Sequence, residues 1–178
     1  MKVLFIHQSF PGQYRHIINE LANDKDVNII GLGINKLYEE IPSNVRYIRY
    51  PLDRGNTEGI DNWLLDIDSK LIRAKACAKA AYQLKKKGYV PDIICAHPGW
   101  GESLFIKDVW PDSPILCYQE FFYRARGFDF DFDSELQGTP DWEACASIRV
   151  KTANSLLNLE SADWNVTPTH FQRSSFPE

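Results

Sequence analysis

Three short stretches carry residue types that could do chemistry together. The first is "ICAHPGWGESLF", residues 94–105, in which an apolar run ends on His97 and turns at once through Pro98, Gly99, Trp100 and Gly101. A histidine at a strand end presents an imidazole to a crevice, and the glycines beside it leave room for a ligand to approach the backbone. The second is the loop "HQSFPGQYRH" after the first apolar run, where Gly12 and Gln13 open a helix. Free N–H groups there and the helix dipole suit an anion such as phosphate. The third is "YQEFFY", in which Glu120 sits beside Phe121, Phe122 and Tyr123. A carboxylate next to aromatic faces suits sugar rings, whose C–H faces stack and whose hydroxyls donate hydrogen bonds. Each stretch also has a structural alternative. His97 could bond a loop carbonyl or cap the next helix, Gly12 could serve only its turn, and the aromatics could simply cover a sheet edge.

These residues need a scaffold that brings them together. Val3–Ile6 reads as a strand buried on both faces, followed by a helix reaching Asn23. "VNIIGL" (27–32) and "VRYIRY" (45–50) read as further strands, the latter closed by Pro51. From Ile60 to Gly88 apolar and small residues recur at alternating steps of four and three, predicting one long helix whose small-residue half lies close on a sheet. "DIICAH" (92–97) is the fourth strand, "WGESLFIKDVW" a helix, "PILCYQ" (114–119) the fifth strand, 142–162 a helix and "DWNVTPT" a last short strand. Residues 120–141 are irregular; their "DFDFDSE" lacks the spacing of a calcium loop and reads as a lid or a solvated loop. Alternating strands and helices predict an α/β domain with a mostly parallel sheet covered on both faces, which binds ligands at the carboxyl ends of its strands. His97, Gly12 and Glu120 all fall on that edge.

Bulk properties narrow the classes. A chain of 178 residues with 44% hydrophobic and 25% charged residues fits one globular domain, and a net charge of −4 argues against nucleic acid as a partner. Cys77, Cys95, Cys117 and Cys145 are too scattered for zinc and read as reduced core thiols, which with the absence of a signal-peptide pattern predicts a cytoplasmic setting. "NVT" at Asn165 is a chance glycosylation match on that reading. Residues 70–87 hold seven basic residues and no acidic ones, which is either a solvated face or a peripheral contact with an inner membrane surface. No G-x-G-x-x-G, P-loop or G-x-S-x-G pattern is present, so dinucleotide, ATP and elbow-type hydrolase sites are unsupported.

The segments "MKVLFIHQSFPGQYRH", "PDIICAHPGWGESLFIKDVWPDSPILCYQEFFY" and "SADWNVTPTHFQRSSFPE" resemble the N-terminal domain of family 4 glycosyltransferases. The resemblance implies the N-terminal half of a GT-B fold: a single Rossmann-like three-layer α/β/α sandwich spanning 1–178 that recognises the acceptor. The donor-binding domain would follow a segment like "PTHFQRSSFP", so this chain would hold half of an enzyme and be inactive alone. Transfer from a nucleotide-diphosphate sugar to an acceptor hydroxyl would retain configuration, without a metal or other cofactor. His97 matches the family's cleft histidine near the donor sugar and is the catalytic candidate. Gly12 and Gln13 match the loop near the donor phosphates, although relatives commonly have two adjacent glycines where this chain has Pro11-Gly12. Glu120 matches an acceptor-side position, and Gly99, Trp100 and Tyr123 complete the substrate-binding set. Sugar or glycan acceptors are the implied partners, nucleotide-sugar is met through the other domain, and apolar surface near the C-terminus could support a dimer. The competing reading is a stand-alone flavodoxin-like or Rossmann-like ligand-binding module, against which stand His7 and Gln8 where a receiver needs acids.

Overall fold

A computed structural model describes residues 1–133, 135 and 138–177. Among the described residues six strands form one parallel sheet: β1 (Lys2–Ile6), β2 (Asn28–Gly33), β3 (Val45–Arg49), β4 (Ile93–Ala96), β5 (Ile115–Tyr118) and β6 (Trp164–Val166). Their order is β3-β2-β1-β4-β5-β6, every neighbouring pair parallel. This is the doubly wound arrangement of Rossmann-like domains, in which the chain winds one way from β1 to β3 and the other way from β4 to β6. The reversal lies between β1 and β4, where Val3 pairs with Ile93 and Ile6 with Ala96.

Strand alternation divides the core. Leu4, Ile6, Ile30, Leu32, Ile94 and Ala96 face one side and pack on Ala76, Cys77, Ala81 and Leu84 of α2 (Leu65–Lys86). Small side chains on α2 let it approach the sheet closely, as the sequence predicts. Val3, Phe5 and Ile29 face the other side against Tyr14 and Ile18 of the first helical segment. That segment is a 3-10 turn over Gly12–Tyr14 running into α1 (Arg15–Leu21). All four cysteines are free; Cys77 and Cys117 are buried, Cys95 and Cys145 partly so.

Three helical expectations need correction, and one helix was not expected. The 60–88 helix starts late: Ile60 is outside it, Leu64 closes a 3-10 turn (Asn62–Leu64) capped by Asp61, and the α-helix begins at Leu65. The 100–110 helix shrinks to α3 (Ile106–Val109), because the 3-10 turn Pro98–Trp100 is ended by Gly101 at φ 97°. A Cβ on Gly101 would lie 2.5 Å from the Lys70 carbonyl oxygen, so both the conformation and the approach to α2 require glycine. The 142–162 helix is two helices, α4 (Trp142–Lys151) and α5 (Ala153–Ser161), divided at Thr152, whose hydroxyl bonds back to Arg149 O. A further helix among the described residues, α6 (His170–Ser175), follows the last strand, where the sequence reading placed no element; Thr169 caps it by accepting from the Gln172 N–H.

In the 120–141 stretch, Asp129 accepts from the Arg124 N–H and Asp131 from the Gly127 N–H, so two acids of the "DFDFDSE" region cap local turns. Ser134 of that expected lid or solvated loop lies outside the described residues. Among the described residues no helix is long and apolar enough to cross a membrane. Of the seven basic residues at 70–87, Lys70 pairs with Asp66, Lys79 with Asp53, Arg73 bonds Ser69 O and Lys85 bonds Val109 O. Lys75, Lys86 and Lys87 remain exposed.

Candidate functional site

The switch between β1 and β4 brings two histidines together. His7 follows β1, His97 follows β4, and their rings meet edge to face with centroids 5.0 Å apart. Both are buried, His97 to 3% exposure. The Ser9 N–H donates to His7 Nδ1 at 3.0 Å, which fixes the neutral tautomer with its proton on Nε2. Burial pushes the His7 pKa down from 6.5 and the charge of His97 pushes the same way, while Gln13 and Glu120 pull it up. His7 is therefore held toward its neutral form.

His97 is different. Its Nε2 lies 3.2 Å from Glu120 Oε2, close enough for an ion pair when the ring is protonated. Neither ring nitrogen has an aligned hydrogen-bond partner among the described residues. A nine-tenths-buried imidazole without aligned partners is costly unless something else supplies them. Glu120 itself accepts from Gln13 Nε2 and is half exposed, so it links the β1 loop to the β5 end.

His97, Gly99, Trp100, Glu120 and Tyr123 line one cavity of about 220 Å³. Five of the seven residues singled out in the sequence thus share one space. Gln13 does not line it but reaches it through Glu120. Gly12 does not line it either: at φ 52°, its missing side chain leaves the place taken by the His7 ring, to which a Cβ would approach within 2.4 Å. Gly99 plays the matching part under His97, with a Cβ 2.8 Å from Cε1. The two glycines act as backing for the imidazoles. Lys151 Nζ lies 4.0 Å from the Tyr123 ring centroid, covering one face of that ring.

The far wall of the cavity went unseen in the sequence. Asp66 and Lys70 reach it from α2, Lys151 from α4 and Ser155 from α5. Nothing local marks them, because they arrive from three helices folded over the strand ends. His7 did carry a signal: it ends a strand, the same argument that found His97. Also missed was the support of the His97 loop. Asn154 Nδ2 donates to Pro98 O at 3.0 Å, Asn158 Nδ2 donates to Asn154 O at 2.8 Å, and Ser103 Oγ donates to Asn158 Oδ1. The α5 asparagines thereby grip both ends of 98–103. Among the described residues there is no group of three or more His, Cys, Asp or Glu side chains that could hold a metal ion.

Comparison with solved structures finds the same architecture in nucleotide-sugar enzymes. A UDP-N-acetylglucosamine 2-epimerase homologue from Listeria monocytogenes superposes with a TM-score of 0.54 at 10% identity, covering 98% of this chain and 41% of the other. The UDP-GlcNAc 2-epimerase of Methanocaldococcus jannaschii gives 0.50 at 15% identity, over 98% and 41%. At these identities the likeness establishes the fold, and the chain spans about two fifths of the length of either enzyme. Comparison with curated proteins found no match. The family model described as "Glycosyl transferase family 4 group" matches residues 25–178, including the β4 and β5 ends and all of α4 to α6, so the chain belongs to the glycosyl transferase family 4 group.

Proposed function

We propose that this chain is the acceptor-binding part of a retaining glycosyltransferase, which moves a sugar from a nucleotide-diphosphate sugar to an acceptor hydroxyl. The observation that carries the proposal is His97: a buried imidazole with unengaged nitrogens, 3.2 Å from a carboxylate, in a cavity walled by Trp100 and Tyr123. A hydroxyl entering that space would donate to Glu120 and accept from His97 Nε2. Trp100, 46% exposed, offers an aromatic face for a ring's C–H side. His97 and Glu120 would fix the acceptor oxygen beside the anomeric carbon, a gain in rate through orientation. In such a transfer the C–O bond to the leaving diphosphate breaks as the acceptor oxygen bonds to the anomeric carbon. The acceptor's proton leaves to the departing phosphate, whose charge is stabilised electrostatically. This assigns His97 a positioning and hydrogen-bonding part rather than that of an obligatory base, and it calls for no metal. Donor recognition would rest on residues outside this chain, leaving the chain inactive alone.

The test is an amide NMR titration of the chain with methyl glycosides, free UDP and GDP, and UDP- and GDP-sugars. Expected are shifts at His97, Gly99, Trp100 and Glu120 with a glycoside, and weak shifts with nucleotides. Tight nucleotide binding would instead establish a self-sufficient nucleotide-binding module. Loss of glycoside shifts in His97→Ala, with the fold intact, ties the response to the imidazole.

A further inference from the structure

The charges that line the His97 cavity are not all answered within the protein. Its ionisable side chains are Asp66, Lys70, His97, Glu120 and Lys151. Lys70 Nζ lies 2.7 Å from Asp66 Oδ2, so these two answer each other across one turn of α2. Glu120 faces His97 Nε2 at 3.2 Å and accepts from Gln13. Lys151 is left over. Among the described residues no carboxylate lies within ion-pair distance of its Nζ, which sits over the Tyr123 ring at 4.0 Å from the centroid.

A lysine in the last turn of α4 is favoured by the helix dipole whatever it faces. Arg149, in the same turn, meets that preference from an exposed position, whereas Lys151 is half-buried and lines the cavity. A ring face answers one side of an ammonium group, which has three N–H donors to place. Ser155, one turn further on, lines the same cavity, and its hydroxyl has no hydrogen-bond partner among the described residues. The helices therefore bring one cation and one free hydroxyl to the space that receives His97 and Glu120 from the strand ends. The two stations select different groups. Glu120 takes a donated hydroxyl, while Lys151 and Ser155 take an acceptor that carries negative charge. One unanswered cation matches one negative charge, which is a carboxylate. A phosphate monoester would bring about −1.5 to −2 charges next to Asp66 and Glu120.

We infer that the acceptor is an acidic sugar, a uronic acid unit whose carboxylate is held by Lys151 and Ser155 while its reacting hydroxyl is held by Glu120 and His97. This rests on the acceptor reading of the cavity and narrows it from any glycoside to a carboxylated one.

The experiment follows the amide NMR spectrum of the chain during titration with methyl glucuronide and methyl glucoside, methyl galacturonide and methyl galactoside, and glucose 6-phosphate. In at least one pair the uronide should bind about tenfold more tightly than its neutral counterpart, the worth of one charge-assisted contact. Both members should shift His97 and Trp100, and only the uronide Lys151 and Ser155. The preference should shrink in about 0.5 M salt, which screens the charges. Lys151→Met keeps the length of the side chain without its charge and should bind the two members of the pair alike, while Lys151→Arg keeps most of the preference. Ser155→Ala should lower the preference severalfold, and the dispersion of the amide spectrum checks that each variant folds. Acidic and neutral glycosides binding equally at His97 in the parent would overturn the acidic acceptor and leave the acceptor cavity standing. No response at His97 to any glycoside would overturn both. Tighter binding of glucose 6-phosphate than of either uronide would overturn the carboxylate in favour of a phosphorylated sugar. A uronide preference that survives in Lys151→Met would overturn the part given to Lys151.

Discussion

Glu102 has the least balanced surroundings of the residues near the site. Its side chain is fully buried, neither carboxylate oxygen has a hydrogen-bond partner from another described residue, and burial pushes its pKa from 4.5 up to about 7 despite the charge of Arg73. A carboxyl that stays protonated in the fold at a pH where the unfolded chain has lost its proton favours folding at low pH. The benefit is complete below 4.5 and is lost as pH rises toward 7. Glu102→Gln should therefore match the parent at pH 4 and exceed it above pH 7 by on the order of 3 kcal/mol, read by urea unfolding across pH. A constant difference across that range would show that the carboxyl ionises equally in both states. Gly12→Ala acts through geometry: a Cβ at φ 52°, 2.4 Å from the His7 ring, should cost about 1–3 kcal/mol in the same assay. Sequence reasoning found Gly12 for another reason, an anion at a helix start. It could not find Glu102 as a buried acid, since that burial is set by α2 and the sheet, not by neighbours in sequence.

At the level of elements, α5 holds the loop that presents His97. Asn158 is fully buried and bonds Asn154 O, while Ser103 bonds its Oδ1. Asn158→Ala would strand the Ser103 hydroxyl inside the protein and release Asn154 from one of its contacts. The expected cost is about 1–3 kcal/mol in unfolding. It should also weaken glycoside binding, because Asn154 in turn bonds Pro98 O, one residue from His97. Unchanged glycoside binding in a destabilised Asn158→Ala variant would mean that the loop keeps its position without α5. The strands were legible because four of them are nearly continuous apolar runs bounded by turn residues. The helices were less so. Gly101 halts one helix through a close approach to α2, and Thr152 divides another by bonding back to Arg149 O, both contacts that periodicity does not encode. α6 was missed because its apolar content is slight, although Thr169 and Gln172 form its start signal.

At the scale of the whole molecule, the site exists because the sheet reverses between β1 and β4. His7 and His97 follow neighbouring strands although three strands, β2, β3 and β4, and two helices, α1 and α2, separate them in sequence. The sequence indicated an α/β sheet and its functional edge; it did not show which strand would lie beside β1, and so left the histidine pair unread. The pairing has an electrostatic consequence. Burial is the first cause holding His7 below 6.5, and the charge of His97 is the second. Replacing His97 with Gln keeps a polar side chain but removes the charge. The His7 pKa should then rise, while the burial persists and continues to oppose protonation. The imidazole Cε1–H signals of the four histidines, followed by NMR from pH 4 to 8, report this directly. Since a depressed histidine pKa stabilises the fold above 6.5 and loses that contribution as pH falls through its folded value, the variant should also lose less stability on acidification. An unchanged His7 titration in His97→Gln would mean that burial alone sets it, and that the two rings do not sense each other's charge across the switch.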